Sequence, residues 1–78
     1  MEKINNLFGI KVGETVKFKA KLFGKERDIC GKFENFCDND YGWLIYVSNY
    51  VVEGVLIDNV DNTQGFTMSY GGTIYRLD

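Results

Sequence analysis

Lys17, Lys19 and Lys21 alternate with Val16, Phe18, Ala20 and Leu22. On a strand this spacing projects three ammonium groups from one face at about 6.5 to 7 Å intervals, near the step between phosphates along a single nucleic-acid strand. Lys25 and Arg27 follow closely and extend the set into a basic patch. The competing reading is a solvated outer face, or an edge strand whose lysines block edge-to-edge association. Base stacking would need aromatic rings on the lysine face, and Phe18 belongs to the opposite set. Tyr41, Tyr46, Tyr50, Tyr70 and Tyr75 are the aromatic residues best suited to exposure, because a phenol keeps its hydroxyl in water while its ring covers a partner. Tyr41, Tyr46 and Tyr50, with the five basic residues, are the expected partner-binding set.

Other chemistry is poorly supplied. The chain has no histidine, which removes the commonest general base and the base of the usual Ser and Cys nucleophile arrangements. Its carboxylates sit mostly in turn-like contexts, where solvation keeps their acidity ordinary. No enzyme activity, catalytic residue or cofactor is expected. Cys30 and Cys37 are the two cysteines; free thiols are the favoured reading, and a zinc site would need carboxylates to complete it. Asp38-Asn39-Asp40-Tyr41-Gly42 looks like the start of a calcium loop, but the glycine falls at the fifth position and Asn49 stands where the bidentate glutamate belongs. That segment reads as a turn, and so does Gly71-Gly72, which no helix follows.

The elements that would position these residues can be read from periodicity. Ile4, Leu7 and Phe8 recur at helical spacing before Gly9, which predicts a short N-terminal helix within Glu2 to Ile10. Strict alternation from Thr15 predicts a half-buried strand to Leu22. Gly24 and the charged group Lys25 to Asp28 predict a reversal, with a second strand over Ile29 to Glu34. After the Asp38–Gly42 turn, Trp43 to Val47 reads as a central strand buried on both faces. Val51, Val52 and Val55 to Ile57 read as a strand bulged or bent at Gly54, and Asp58 to Asn62 as a polar loop. Phe66 to Tyr70 and Thr73 to Leu77 read as a terminal hairpin about Gly71-Gly72.

These spacings describe a mainly β domain over residues 1–78: a small antiparallel barrel of five or six strands, Src-homology-3-like or Sm-like, with a short N-terminal helix. Its 78 residues, 45% hydrophobic and 26% charged, suit one small folded domain and leave no room for a second lobe. No apolar run approaches the roughly 18 to 20 residues of a spanning helix, and residues 1–6 lack the apolar centre of a signal peptide, so a cytoplasmic protein without membrane contact is expected. The net charge of −2 hides an asymmetry. Residues 1–28 hold seven Lys/Arg against four Asp/Glu, a balance of +3; residues 29–78 hold two against seven, a balance of −5. A body with two charged faces can steer an oppositely charged partner.

Leu7-Phe8-Gly9-Ile10-Lys11-Val12-Gly13-Glu14, running into an alternating strand, resembles the opening of small phage and prophage accessory proteins of low-GC Gram-positive bacteria. The resemblance implies a non-enzymatic protein in the cytoplasm of a bacterial host cell, made to bind a host protein, with inhibition of a defence or regulatory protein among its roles. The outline is also similar to the Sm-like RNA-binding fold, whose Asp-x-x-x-Asn and Arg-Gly signals are absent here. The leading expectation is therefore stoichiometric binding to a protein partner. The second is a nucleic-acid- or nucleotide-binding barrel using the basic strand, and homo-oligomerisation is compatible with either.

Overall fold

The alternating segment Thr15–Leu22 forms strand β2 as its periodicity requires, with Val16, Phe18 and Ala20 buried and Lys19 and Lys21 exposed. The computed structural model describes residues 2–56 and 63–77. The remaining strands are β1 (Glu2–Ile4), β3 (Lys25–Asn39), β4 (Gly42–Val52), β5 (Val55–Leu56), β6 (Gln64–Met68) and β7 (Ile74–Arg76). All are antiparallel members of one sheet, ordered β1-β7-β2-β3-β4-β5, with β6 paired to β4 beside β5. The sheet curls so that β6 lies against β2 across the core.

The expected barrel is not closed. Among the described residues, β1 pairs only with β7 and β6 only with β4, so no ladder joins the two ends. The expected N-terminal helix is also absent. Glu2–Ile4 is drawn into the sheet beside β7, and only a 3-10 turn forms over Leu7–Gly9, with the Asn6 side chain accepting from the Phe8 amide at 2.9 Å. Two asparagines before the turn and Gly9 at its end leave too few residues to nucleate an α-helix.

Turn chemistry corrects three further expectations. Lys25 to Asp28 are strand residues: Leu22 pairs with Lys25, and the reversal is only Phe23-Gly24, both at positive φ (54° and 84°). Gly54 is not a bulge. Glu53 and Gly54, at φ 54° and 79°, turn β4 into β5, and Val52 pairs with Val55. Residues 64–68 and 74–76 form no hairpin, because β6 pairs with β4 while β7 joins β1 and β2. Ile57 and the polar segment Asp58–Asn62 lie outside the described residues.

Two bulges set the phase of the long β3–β4 pair. Gly31 faces both Asn49 and Tyr50, Asn49 taking the left-handed conformation (φ 48°) that such a bulge demands. A Cβ on Gly31 would lie 2.9 Å from the Cβ of Tyr50, so only glycine admits this approach. Glu34 is the extra residue of the second bulge, its carboxylate accepting from Ser48 Oγ at 2.6 Å. Ile29, Gly31 and Phe33 point inward before Glu34; after it the inward position is Phe36, opposite Ile45. On β4, Ile45 and Val47 are buried while Trp43, Leu44 and Tyr46 are half-buried, so this central strand is fully covered on one face only. The core comprises Val16, Phe18, Ala20, Ile29, Phe33, Ile45, Val47, Tyr50, Phe66, Met68 and Ile74, with Ile10.

Candidate functional site

The eight residues expected to bind a partner do not share a surface. Lys17, Lys19 and Lys21 do line up on the outer face of β2, yet the register sets Cys30, Asp28 and Glu26 directly opposite them. Residues opposed in an antiparallel pair share a face, so two of the three lysines stand opposite an acidic residue on the neighbouring strand, and the ladder is charge-mixed. Lys25 and Arg27 pair with Leu22 and Ala20 and therefore fall on the inner face. Arg27 is half-buried, its Nε donating to the Leu22 carbonyl at 3.0 Å. Placing Arg27 beside the lysines followed from reading residues 25–28 as a reversal; as strand residues they obey the two-residue alternation.

The tyrosines scatter as well. Tyr41 is 84% exposed at the β3–β4 turn. Tyr46 lies on the outer face over Gly65, where a Cβ would stand 3.0 Å from its ring. Tyr50 is not a surface residue: at 9% exposure it belongs to the core, edge-on to Phe66 with centroids 5.2 Å apart. The bulge at Asn49 turns it inward. Of the expected set, Lys21, Arg27 and Tyr50 meet in a groove at the β2–β3 hairpin end, while Lys17 and Lys19 flank a separate depression with Glu26, Asp28 and Tyr75.

The opposite end of the inner face carries an arrangement that periodicity did not reveal. Phe8, Phe36, Trp43 and Tyr70 form a chain of edge-to-face rings: Phe8–Phe36 at 5.2 Å and 77°, Phe36–Trp43 at 5.9 Å and 71°, and Trp43–Tyr70 at 5.4 Å and 79°. Such geometry lets the positive ring edge meet the negative face of its neighbour. Phe36 and Trp43 are half-buried at the edge of the core, whereas Phe8 is 83% exposed at one end and Tyr70 is exposed at the other. The stripe thus runs from the core into solvent at both ends.

Its supports come from distant parts of the chain. The bulge at Glu34 rotates Phe36 inward, and Gly42 admits β6 so closely that any Cβ there would collide with the Met68 carbonyl, 2.1 Å away. Arg76 fastens the segment bearing Phe8: its Nε donates to Glu14 Oε2 at 2.6 Å, another nitrogen pairs with Glu2, and a third donates to the Gly9 carbonyl at 3.4 Å. The Arg76 hydrogen bond holds the Glu14 pKa below the usual carboxylate range, and hydrogen bonds to the two carboxylates push the Arg76 pKa up. The Tyr70 hydroxyl donates to the Asp38 carboxylate and lies against the Asn39 carbonyl; the hydrogen bond to Asp38 raises the phenol above its ordinary value. Asp38 and Asp40 therefore give this end a negative border.

Cys30 and Cys37 are both free, Cys30 half-buried and Cys37 exposed, and burial pushes the Cys30 thiol pKa up. No family model, curated protein or solved structure matches the chain. Among the described residues, no helix is long and apolar enough to cross a membrane.

Proposed function

We propose that the protein is a non-enzymatic binding module that acts stoichiometrically on a protein partner through the Phe8–Phe36–Trp43–Tyr70 stripe. The observation that carries this reading is the stripe itself: four rings in successive edge-to-face contact, built around Phe36 and Trp43 of the sheet and presented at a surface with acidic groups at one end. Aromatic anchors on a rigid frame are the residues that dominate protein interfaces, because they cover much area at little cost in conformational entropy. Asp38 and Asp40 select the partner's chemistry. A segment bearing Lys or Arg gains from these carboxylates and from the faces of Trp43 and Tyr70. A phosphate backbone would be repelled there, and on β2 the lysines share their face with Asp28 and Glu26. Occupying such a segment blocks whatever else it contacts, which makes inhibition by occlusion the mode of action this reading entails.

The test is a comparative pull-down from a bacterial lysate treated with nuclease. The reading expects one protein retained in stoichiometric amount by the native chain and by a Lys19→Glu/Lys21→Glu variant, and lost with Phe8→Asp, whose side chain is exposed and whose change spares the core. Retention by Phe8→Asp together with loss by the double lysine variant would transfer the function to β2. Loss of all bound material on nuclease treatment would favour nucleic acid.

A further inference from the structure

At the end of the sheet away from Trp43, a groove of about 610 Å³ opens at the unpaired seam between the β2–β3 hairpin and β6, where residues of both faces of the sheet line it. Tyr50, Val52 and Phe66 line its apolar part, while Phe23, Lys21 and Arg27 stand at its rim. Among the described residues, the charged residues that line it, Lys21 and Arg27, are both cationic, and Glu26, which pairs with Lys21, is not among the lining residues. The hydrogen bond from Arg27 Nε to the Leu22 carbonyl fixes the guanidinium at this rim.

Phe23 is the informative residue. It occupies the first position of a two-residue hairpin loop at φ 54°, where Asn or Gly is the favoured choice and a bulky side chain is strained. It is also 87% exposed and so contributes nothing to the core. Neither the turn nor the packing requires a phenyl ring there, and its position beside the groove supplies the role that folding does not.

We propose that this groove binds a small amphipathic anion, a molecule with a planar aromatic ring system and one acidic group. The rings lie against Phe23 and Phe66, and the acidic group pairs with Arg27 and Lys21. The volume is within the range of small-molecule sites, roughly 300 to 1,000 Å³, and a guanidinium offers paired donors to an acidic group. This site is separate from the aromatic stripe and does not depend on it.

Two dyes of matched shape test the proposal on the full chain: the anionic anilinonaphthalene sulfonate and the uncharged phenylnaphthylamine. The expected result is saturable one-to-one binding of the sulfonate, with backbone amide shifts at Phe23 and Phe66, and affinity for the uncharged dye weaker on the order of tenfold. Arg27→Gln should weaken the sulfonate by a similar factor and leave the uncharged dye unchanged. Phe23→Asn should weaken both dyes while raising the melting temperature, which separates binding from folding. If Arg27→Gln unfolds through loss of the Leu22 contact, Lys21→Gln on an exposed side chain decides the charge requirement. Equal affinity for the two dyes, shifts centred on Trp43 and Tyr70, or sulfonate binding undiminished by Phe23→Asn would overturn the proposal.

Discussion

Phe23 and the β2 lysines show how single residues depart from what folding alone would choose. A left-handed phenylalanine at an exposed hairpin tip is strained, so Phe23→Asn should raise stability by about 0.5 to 1 kcal/mol, seen as a melting-temperature increase of several degrees. Lys19→Glu/Lys21→Glu acts in the other direction. It sets Glu against Asp28 and Glu26 across the ladder, and like charges directly opposed cost a few tenths to about 1 kcal/mol each. The double variant should stay folded by circular dichroism and melt a few degrees lower, less so in high salt. Glu14 titrates with a definite sign. Its folded pKa lies below its unfolded value, so the stability it contributes is fully present above the ordinary glutamate range and is lost as pH falls through the folded value. Glu14→Gln should flatten that acid-side loss in pH-dependent melting curves and speed hydrogen exchange at Phe8, since the acceptor facing Arg76 Nε then loses its charge.

At the scale of elements, the two bulges decide where side chains point. Gly31→Ala should destabilise by about 1 to 3 kcal/mol, because the new methyl meets the Tyr50 Cβ and the Ser48 carbonyl, and overpacking of that size forces the strands apart. Gly42→Ala should be worse and prevent folding, read as lost dispersion in amide spectra, since the Met68 carbonyl stands where the Cβ would be. Periodicity captured what depends on local alternation. Strand β2 matches residue for residue, and the turns at Asp38–Gly42 and about Gly24 fall at or beside their Gly and Asn markers. It missed what depends on counting across strands. The extra residue Glu34 inverts the alternation beyond it, hiding Phe36 from a two-residue rule, and Asn49 does the same for Tyr50. The helical spacing of Ile4, Leu7 and Phe8 was outweighed by the β7 edge, which offers Glu2–Ile4 a ladder that an isolated turn of helix cannot match.

For the whole molecule, the curled sheet has one core with two different ends. The hairpin end presents the cationic groove, and the β3–β4 turn end presents the aromatic stripe with its acidic border. The charge asymmetry of the sequence does not become two opposed faces, because β2 and β3 bring positive and negative residues together; it survives at these two ends. Nothing in local spacing announced the stripe, whose rings come from residues 8, 36, 43 and 70 and meet only through the topology. Trp43 is the single tryptophan and sits at the middle of the stripe, so its indole N–H gives one resonance that reports on the proposed docking surface. The decisive measurement is a titration of the labelled protein with the captured partner, following that resonance beside the backbone amides of Lys19 and Asp28. The stripe account predicts that the Trp43 signal shifts to saturation at one equivalent while the β2–β3 ladder stays in place. A Trp43 signal that does not move while Lys19 and Asp28 shift would contradict it.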